Sequence, residues 1–237
     1  MSKEQKVVIV TGASQGLGAG FVAAFRERGH KVVATSRSIK QGSDENVVAV
    51  AGDIGDPATA ERVVKTAIER FGRVDTLVNN AGIFTAKPFV DFTIEDYNNN
   101  LSTNLHGFFH ITQRAAAEML KQKSGHIVSI TTTIVDQPMR GVPAVLASIT
   151  KGAINAATRS LAIEYSDQGI RVNAVAPGII KTPMHAPETH DFLSKLHPMG
   201  RMGEASEIVD AVLYLDGADF VTGEVLHVDG GQHAGRW

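Results

Sequence analysis

Seven short β-branched runs punctuate the chain, and the segments between them limit most strongly what it can fold into. The runs are Lys6–Val10, Lys31–Ala34, Asn46–Val50, Thr76–Val78, His126–Ile130, Arg171–Val175 and Val225–Val228. Several are continuously apolar rather than alternating, the pattern of strands covered on both faces. Between them, apolar residues recur at helical spacing: Phe21, Ala24 and Phe25, then Ala60–Phe71, Phe109–Leu120, Ile149–Tyr165 and Ile208–Leu215. Strand–helix alternation of this kind needs right-handed crossovers and builds a doubly wound sheet.

The composition agrees. A chain of 237 residues, 43% hydrophobic and 20% charged, suits one α/β domain with a large core. A net charge of −2 argues against a nucleic-acid or membrane-surface partner. The absence of cysteine excludes disulfides, thiolate nucleophiles and Cys-ligated metal centres. No apolar run approaches ~18 residues, and the first residues carry no secretory pattern. The expectation is a cytoplasmic protein.

The first run leads into Thr11-Gly12-Ala13-Ser14-Gln15-Gly16-Leu17-Gly18 and then a helix. Gly12 lets the chain turn, Gly16 lets the backbone approach a pyrophosphate, and Gly18 lets helix and strand pack closely. The helix start, over Ser14, Gln15, Gly16 and Leu17, offers free N–H groups and a positive dipole end to phosphates. Asn80, Ala81 and Gly82 follow the fourth run, at a strand end where such folds hold ligands. The expected architecture is a single Rossmann-like domain over residues 1–237, with about seven mostly parallel strands and helices on both faces. The polar stretch Lys181–Glu204 is too long for a simple connection and reads as a substrate-covering insert. Its Pro183, Met184, Phe192, Leu193, Leu196 and Met199 would supply an apolar lining.

The glycine spacing is GxxxGxG, and with it the chain resembles the short-chain dehydrogenase/reductase family. Further matches run in order along nearly all of the sequence: Asp53, Asn79-Asn80-Ala81-Gly82, Asn104, Arg171-Val172-Asn173, Pro177-Gly178 with Thr182, and Val228-Asp229-Gly230-Gly231. The resemblance implies a nicotinamide dinucleotide, with Asp53 and Ile54 at the adenine and Pro177, Gly178, Ile180 and Thr182 around the nicotinamide. Asn79 and Asp229 read as residues that tie strands and loops together. The second run ends Ser36-Arg37-Ser38, without the acidic residue that usually accepts from the ribose 2′-OH. Arg37 could instead fork onto a 2′-phosphate, with Ser36 or Ser38 adding a hydroxyl. NADP(H) is therefore expected over NAD(H).

The resemblance also implies hydride transfer between nicotinamide and a carbonyl or alcohol, served by a Tyr acid/base, a Lys four residues later, a Ser and an Asn. Lys151 stands in the Lys position, Asn104 in that of the Asn, and Thr132 in that of the Ser, with Thr131 and Thr133 as neighbouring possibilities. Ala147 stands where the Tyr is expected. Tyr165 follows too late to replace it and reads as packing. Lys151, if desolvated, or a lid histidine such as His185 or His190, could carry the proton. Two readings follow: an NADP(H)-dependent oxidoreductase with an altered proton path, or a catalytically silent NADP(H) binder acting as sensor, scaffold or inactive partner. A dehydratase or isomerase on the same fold is a third. Ala153, Ala156, Ala157 and Ser160 lie at helical spacing and permit close helix approach. The resemblance implies a homodimer or homotetramer.

Overall fold

The computed structural model describes residues 5–235. Residues 1–4 and 236–237, which the single-domain expectation includes, lie outside the described residues. Each of the seven runs forms a strand: β1 (Val7–Thr11), β2 (Lys31–Ser36), β3 (Val47–Ala51), β4 (Thr76–Asn79), β5 (Gly125–Ile130), β6 (Ile170–Pro177) and β7 (Val225–Val228). All neighbours are parallel, in the order β3-β2-β1-β4-β5-β6-β7. The continuous apolar runs have the predicted cause. Alternate residues of one strand enter different cores: Val7 and Ile9 face one side, Val8 and Val10 the other.

The first core packs under α2 (Pro57–Phe71), α4 (Gly107–Gln122) and α5 (Val145–Glu164), and the second under α1 (Gly16–Glu27) and α7 (Ala205–Gly217). The helices start earlier than the sequence reading, α4 at Gly107 and α7 at Ala205 among them. Helix α2 begins at Pro57, because Asp56 caps Ala58 N and proline suits the first helical position. Helix α5 begins at Val145, four residues before Ile149, which brings Ala147 onto the helix.

One element was not anticipated. Helix α3 (Ile94–Asn100) starts at a capping box of Thr93 and Asp96 and runs through a π-helical turn, Leu101–His106, into α4. Its Tyr97-Asn98-Asn99-Asn100 stretch has low helix propensity and no apolar period. The insert between β6 and α7 contains a 3-10 turn (Pro187–Thr189) and α6 (His190–Ser194), so it is partly helical. Among the described residues no helix is long and apolar enough to cross a membrane.

The turn between β1 and α1 rests on close backbone approach. A Cβ at Gly18 would lie 2.1 Å from the Gly12 carbonyl oxygen. Gly18→Ala should therefore cost about 1–3 kcal/mol or more in urea unfolding, as overpacking does. Gly217→Ala, where a Cβ meets nothing within 4 Å, should be neutral or slightly stabilising in the same assay.

Candidate active site

A cleft of about 680 Å³ opens at the carboxyl ends of the strands, where β1 and β4 send their following helices to opposite faces. One end of it is the β1–α1 turn. Gly12 and Gly16 have φ of +66° and +54°, a region that favours glycine. Ser14, Gln15, Gly16 and Leu17 line the cleft. Gln15 precedes the helix without capping it, so its side chain leaves the first-turn N–H groups uncapped. Gly18 does not line the cleft and serves close packing instead. The turn is stitched to β4: Asn80 N and Ala81 N each donate to Thr11 Oγ1 at 3.0 Å, and Asn80 Nδ2 donates to Thr11 O at 2.9 Å. The side chain of Asn80 is thus committed to holding two strand ends together while Asn80, Ala81 and Gly82 form the wall.

At the β2 end, Ser36, Arg37 and Ser38 line the cleft. Arg37 is exposed, and the buried Ser36 Oγ has no partner among the described residues. Asp53 and Ile54 line the same end, and Asp53 accepts from Gly55 N at 2.9 Å. Asp53 is the one carboxylate among the described lining residues, against Arg37 and Lys151.

At the other end, Lys151 and Ala147 both line the cleft, one turn apart on α5. Lys151 is 9% exposed. Its Nζ donates to Ile130 O at 2.8 Å, and burial lowers its pKa to about 8. The three threonines after β5 differ in what their hydroxyls do. Thr131 Oγ1 donates to Val175 O at 3.3 Å and Thr133 Oγ1 to Asp229 Oδ2 at 2.6 Å. Thr132 Oγ1 only accepts, from Ile134 N at 3.4 Å, so among the described residues its O–H has no acceptor. Among the described residues no tyrosine lines the cleft; Tyr165 packs half-buried against the core.

Asn104 stands behind the wall, in the π-helical turn. Its Oδ1 accepts from Ile83 N at 2.8 Å, and its Nδ2 donates to Ile83 O at 3.0 Å and Thr150 Oγ1 at 3.2 Å. Both amide ends already bind protein, so Asn104 positions the segment after β4 and the helix carrying Lys151.

Pro177, Gly178, Ile180 and Thr182 line the cleft beside Lys151. From the insert come Pro183, Met184, His185, Phe192 and Leu193, whereas Leu196, Met199 and His190 do not reach it. Burial lowers the pKa of His185, helped by the charge of His190. Buried His197, unremarked in the sequence, accepts from Ile179 N at 2.9 Å through Nε2. It fills the space a Cβ on Gly178 would need. Met199 N donates to Gly230 O at 3.2 Å, tying the insert to the turn after β7. Gln232, on that turn, also lines the cleft; nothing in the sequence pointed to it beyond its place after two glycines. Asn79 donates to Thr112 Oγ1 at 2.9 Å, a tie rather than a ligand contact. Arg171 and Asn173 brace β6 against residues 215–224, at the opposite end of the sheet.

The residues fit a nicotinamide dinucleotide. Two left-handed glycines and an uncapped helix start suit the pyrophosphate, an unpartnered Ser36 hydroxyl and Arg37 suit the ribose end, and Lys151 marks the reactive end. Comparison with known proteins agrees. The family profile described as enoyl-(acyl carrier protein) reductase matches residues 12–233. An uncharacterized oxidoreductase of Thermotoga maritima is 36% identical over 253 residues, covering 99% of this chain and 100% of that protein. The structure of ElxO with NADP bound superposes with a TM-score of 0.92 at 30% identity, covering 98% of this chain and 100% of that one. A 3-ketoacyl-(acyl carrier protein) reductase of Brucella melitensis complexed with NADH superposes with a TM-score of 0.90 at 29% identity, over 97% and 99% of the two chains. The chain belongs to the short-chain dehydrogenase/reductase family of oxidoreductases.

Proposed function

We propose that the protein is an NADP(H)-dependent oxidoreductase that interconverts a carbonyl compound and its alcohol, with Lys151 as the proton donor in reduction. The observation that carries this reading is the Lys151 ammonium. It is buried on the cleft wall, bonded to the Ile130 carbonyl, one helical turn from Ala147, which also lines the cleft. A bound nicotinamide would supply or accept the hydride. Thr132 would donate its free O–H to the carbonyl oxygen, and Lys151 would give that oxygen its proton as the alcohol forms. Desolvation favours neutral over charged lysine, which makes Lys151 a far stronger acid than a solvated one. Gly12, Ser14, Gln15, Gly16 and Leu17 would hold the pyrophosphate, and Arg37 with Ser36 the 2′-phosphate. Asp53 and Ile54 would meet the adenine, and Pro177, Gly178, Ile180 and Thr182 the nicotinamide.

The insert would cover the substrate with Met184, Phe192 and Leu193. We also propose a cytoplasmic homodimer or homotetramer. Supporting assembly, Phe109 of α4 and Ile149, Ala156 and Ser160 of α5 are exposed, while α5 packs on its own subunit through Ile154, Thr158 and Ala162.

The test is NADPH oxidation across a panel of ketones as a function of pH. Because the protonated lysine is the acid, kcat/KM should fall as pH rises through about 8, and Lys151→Met should abolish that dependence along with the activity. Tight NADPH binding with no oxidation on any ketone would overturn the reading. NADPH should bind more tightly than NADH, and Arg37→Asp should reverse the order. Losing a charge-assisted contact costs ~1.5–3 kcal/mol, roughly 10- to 150-fold in affinity. Ala147→Tyr should place a phenol one turn from Lys151 and raise reduction up to ~10²–10⁴-fold, with NADPH affinity unchanged. Ala147 packs with Ile134, Met139, Val142 and Ala144, so Ala147→Tyr with Met139→Ala is the companion variant that makes room for the ring.

A further inference from the structure

The floor of the cleft holds a polar side chain that neither the fold nor the proton transfer uses. Gln232 is 0% exposed and lines the cleft with Thr131, Thr132 and Thr133. Neither its Oε1 nor its Nε2 has a hydrogen-bond partner among the described residues. Buried amides are ordinarily bonded, since a bare one has given up its hydration for nothing.

The turn that carries Gln232 is held firmly. Gly230 and Gly231 have φ of +61° and +88°. Asp229 Oδ1 accepts from Gly231 N at 3.0 Å, and its Oδ2 accepts from His233 N at 2.9 Å and from Thr133 Oγ1 at 2.6 Å. One carboxylate therefore clamps the Gln232 turn to the loop that carries Thr132. The backbone of the turn is thus fixed to the Thr132 loop, so only the Gln232 side chain has to turn for its amide, closed off from solvent, to meet a ligand in the cleft.

We propose that Gln232 is a specificity-determining residue whose amide holds a second oxygen of the substrate, adjacent to the carbonyl that is reduced. The amide offers N–H donors to a carbonyl oxygen, and both a donor and an acceptor to a hydroxyl. The surrounding wall of Ile134, Val142, Met184, Phe192 and Leu193 is apolar. The substrate class is thus a vicinal dicarbonyl or hydroxycarbonyl compound with an apolar remainder. A site built to bond an oxygen rejects the analogue that lacks it, because its own polar group is then left unpaired. The proposal rests on the reading of the cleft as a carbonyl-reducing site. The carboxamide of a nicotinamide offers the same hydrogen-bonding pair and is the competing source.

The experiment compares 2,3-hexanedione with 2-hexanone on the wild-type protein and on Gln232→Met, which keeps the length and removes both polar atoms. Affinity for the protein loaded with NADP+, which has no hydride to give, is read by ligand-observed NMR; affinity for NADP+ itself is read separately. The wild type should bind the dione more tightly than the ketone. Gln232→Met should lose about 10- to 100-fold on the dione and nothing on the ketone or on NADP+. Gln232→Asn, which shortens the amide without removing it, should lose dione affinity selectively as well, and decides the matter if the Met variant does not fold. Equal losses on dione and ketone, no loss on either, or a loss on NADP+ instead would overturn the proposal. Failure of the oxidoreductase reading shows separately, as the absence of NADPH oxidation with either compound.

Discussion

The junction of β1 with β4 is the point on which the rest of the molecule depends. Thr11 Oγ1 takes two backbone N–H groups from the β4 end, and the Asn80 amide returns a bond to the β1 end. Strand order reverses there, so the helices that follow leave toward opposite faces and the loops part. An opening at that place is a consequence of topology. Its usefulness depends on the stitch, because glycine turns with no Cβ contacts would otherwise splay.

Lys151 is held in a state that the fold alone does not favour. Its ammonium is buried and bonded to a carbonyl oxygen, and among the described residues no carboxylate pairs with it. Burial lowers its folded pKa to about 8, below that of the unfolded chain, so this group's contribution to stability rises with pH above about 8. At neutral pH the folded protein carries an unfavourable charge that an anionic ligand would relieve. Sites of this kind trade stability for function.

Much of this was legible in the sequence. Continuous apolar runs gave the buried parallel sheet because period and burial leave no other arrangement. Glycine spacing gave the tight β1–α1 turn because φ above zero and close approach both demand glycine. The sequence placed Thr132 in the Ser position, but the hydroxyl partners of Thr131 and Thr133 were not legible, since they lie in β6 and after β7, far away in the chain. The α3 helix was hidden because its Tyr97-Asn98-Asn99-Asn100 stretch has low helix propensity and no apolar period, although its capping box stood in the sequence. Asn104 was readable as a site residue, but its commitment to Ile83 was not, because the two residues meet only when α4 packs against the β4 end. Gln232 was invisible for the same reason: an amide is unremarkable until its surroundings turn out to hold no partner for it.

The wedge formed by His197 has a consequence for how such proteins can be recombined. Its ring sits against Gly178 and bonds Ile179 N, while the neighbouring Met199 N bonds Gly230 O. The covering insert, the loop after β6 and the last turn of the chain therefore interlock as one piece. A graft that moves residues 181–204 alone from one scaffold to another carries half a lock. The unit of exchange is the insert together with its seat at Gly178 and the 229–233 turn, which are distant in sequence and inseparable in shape.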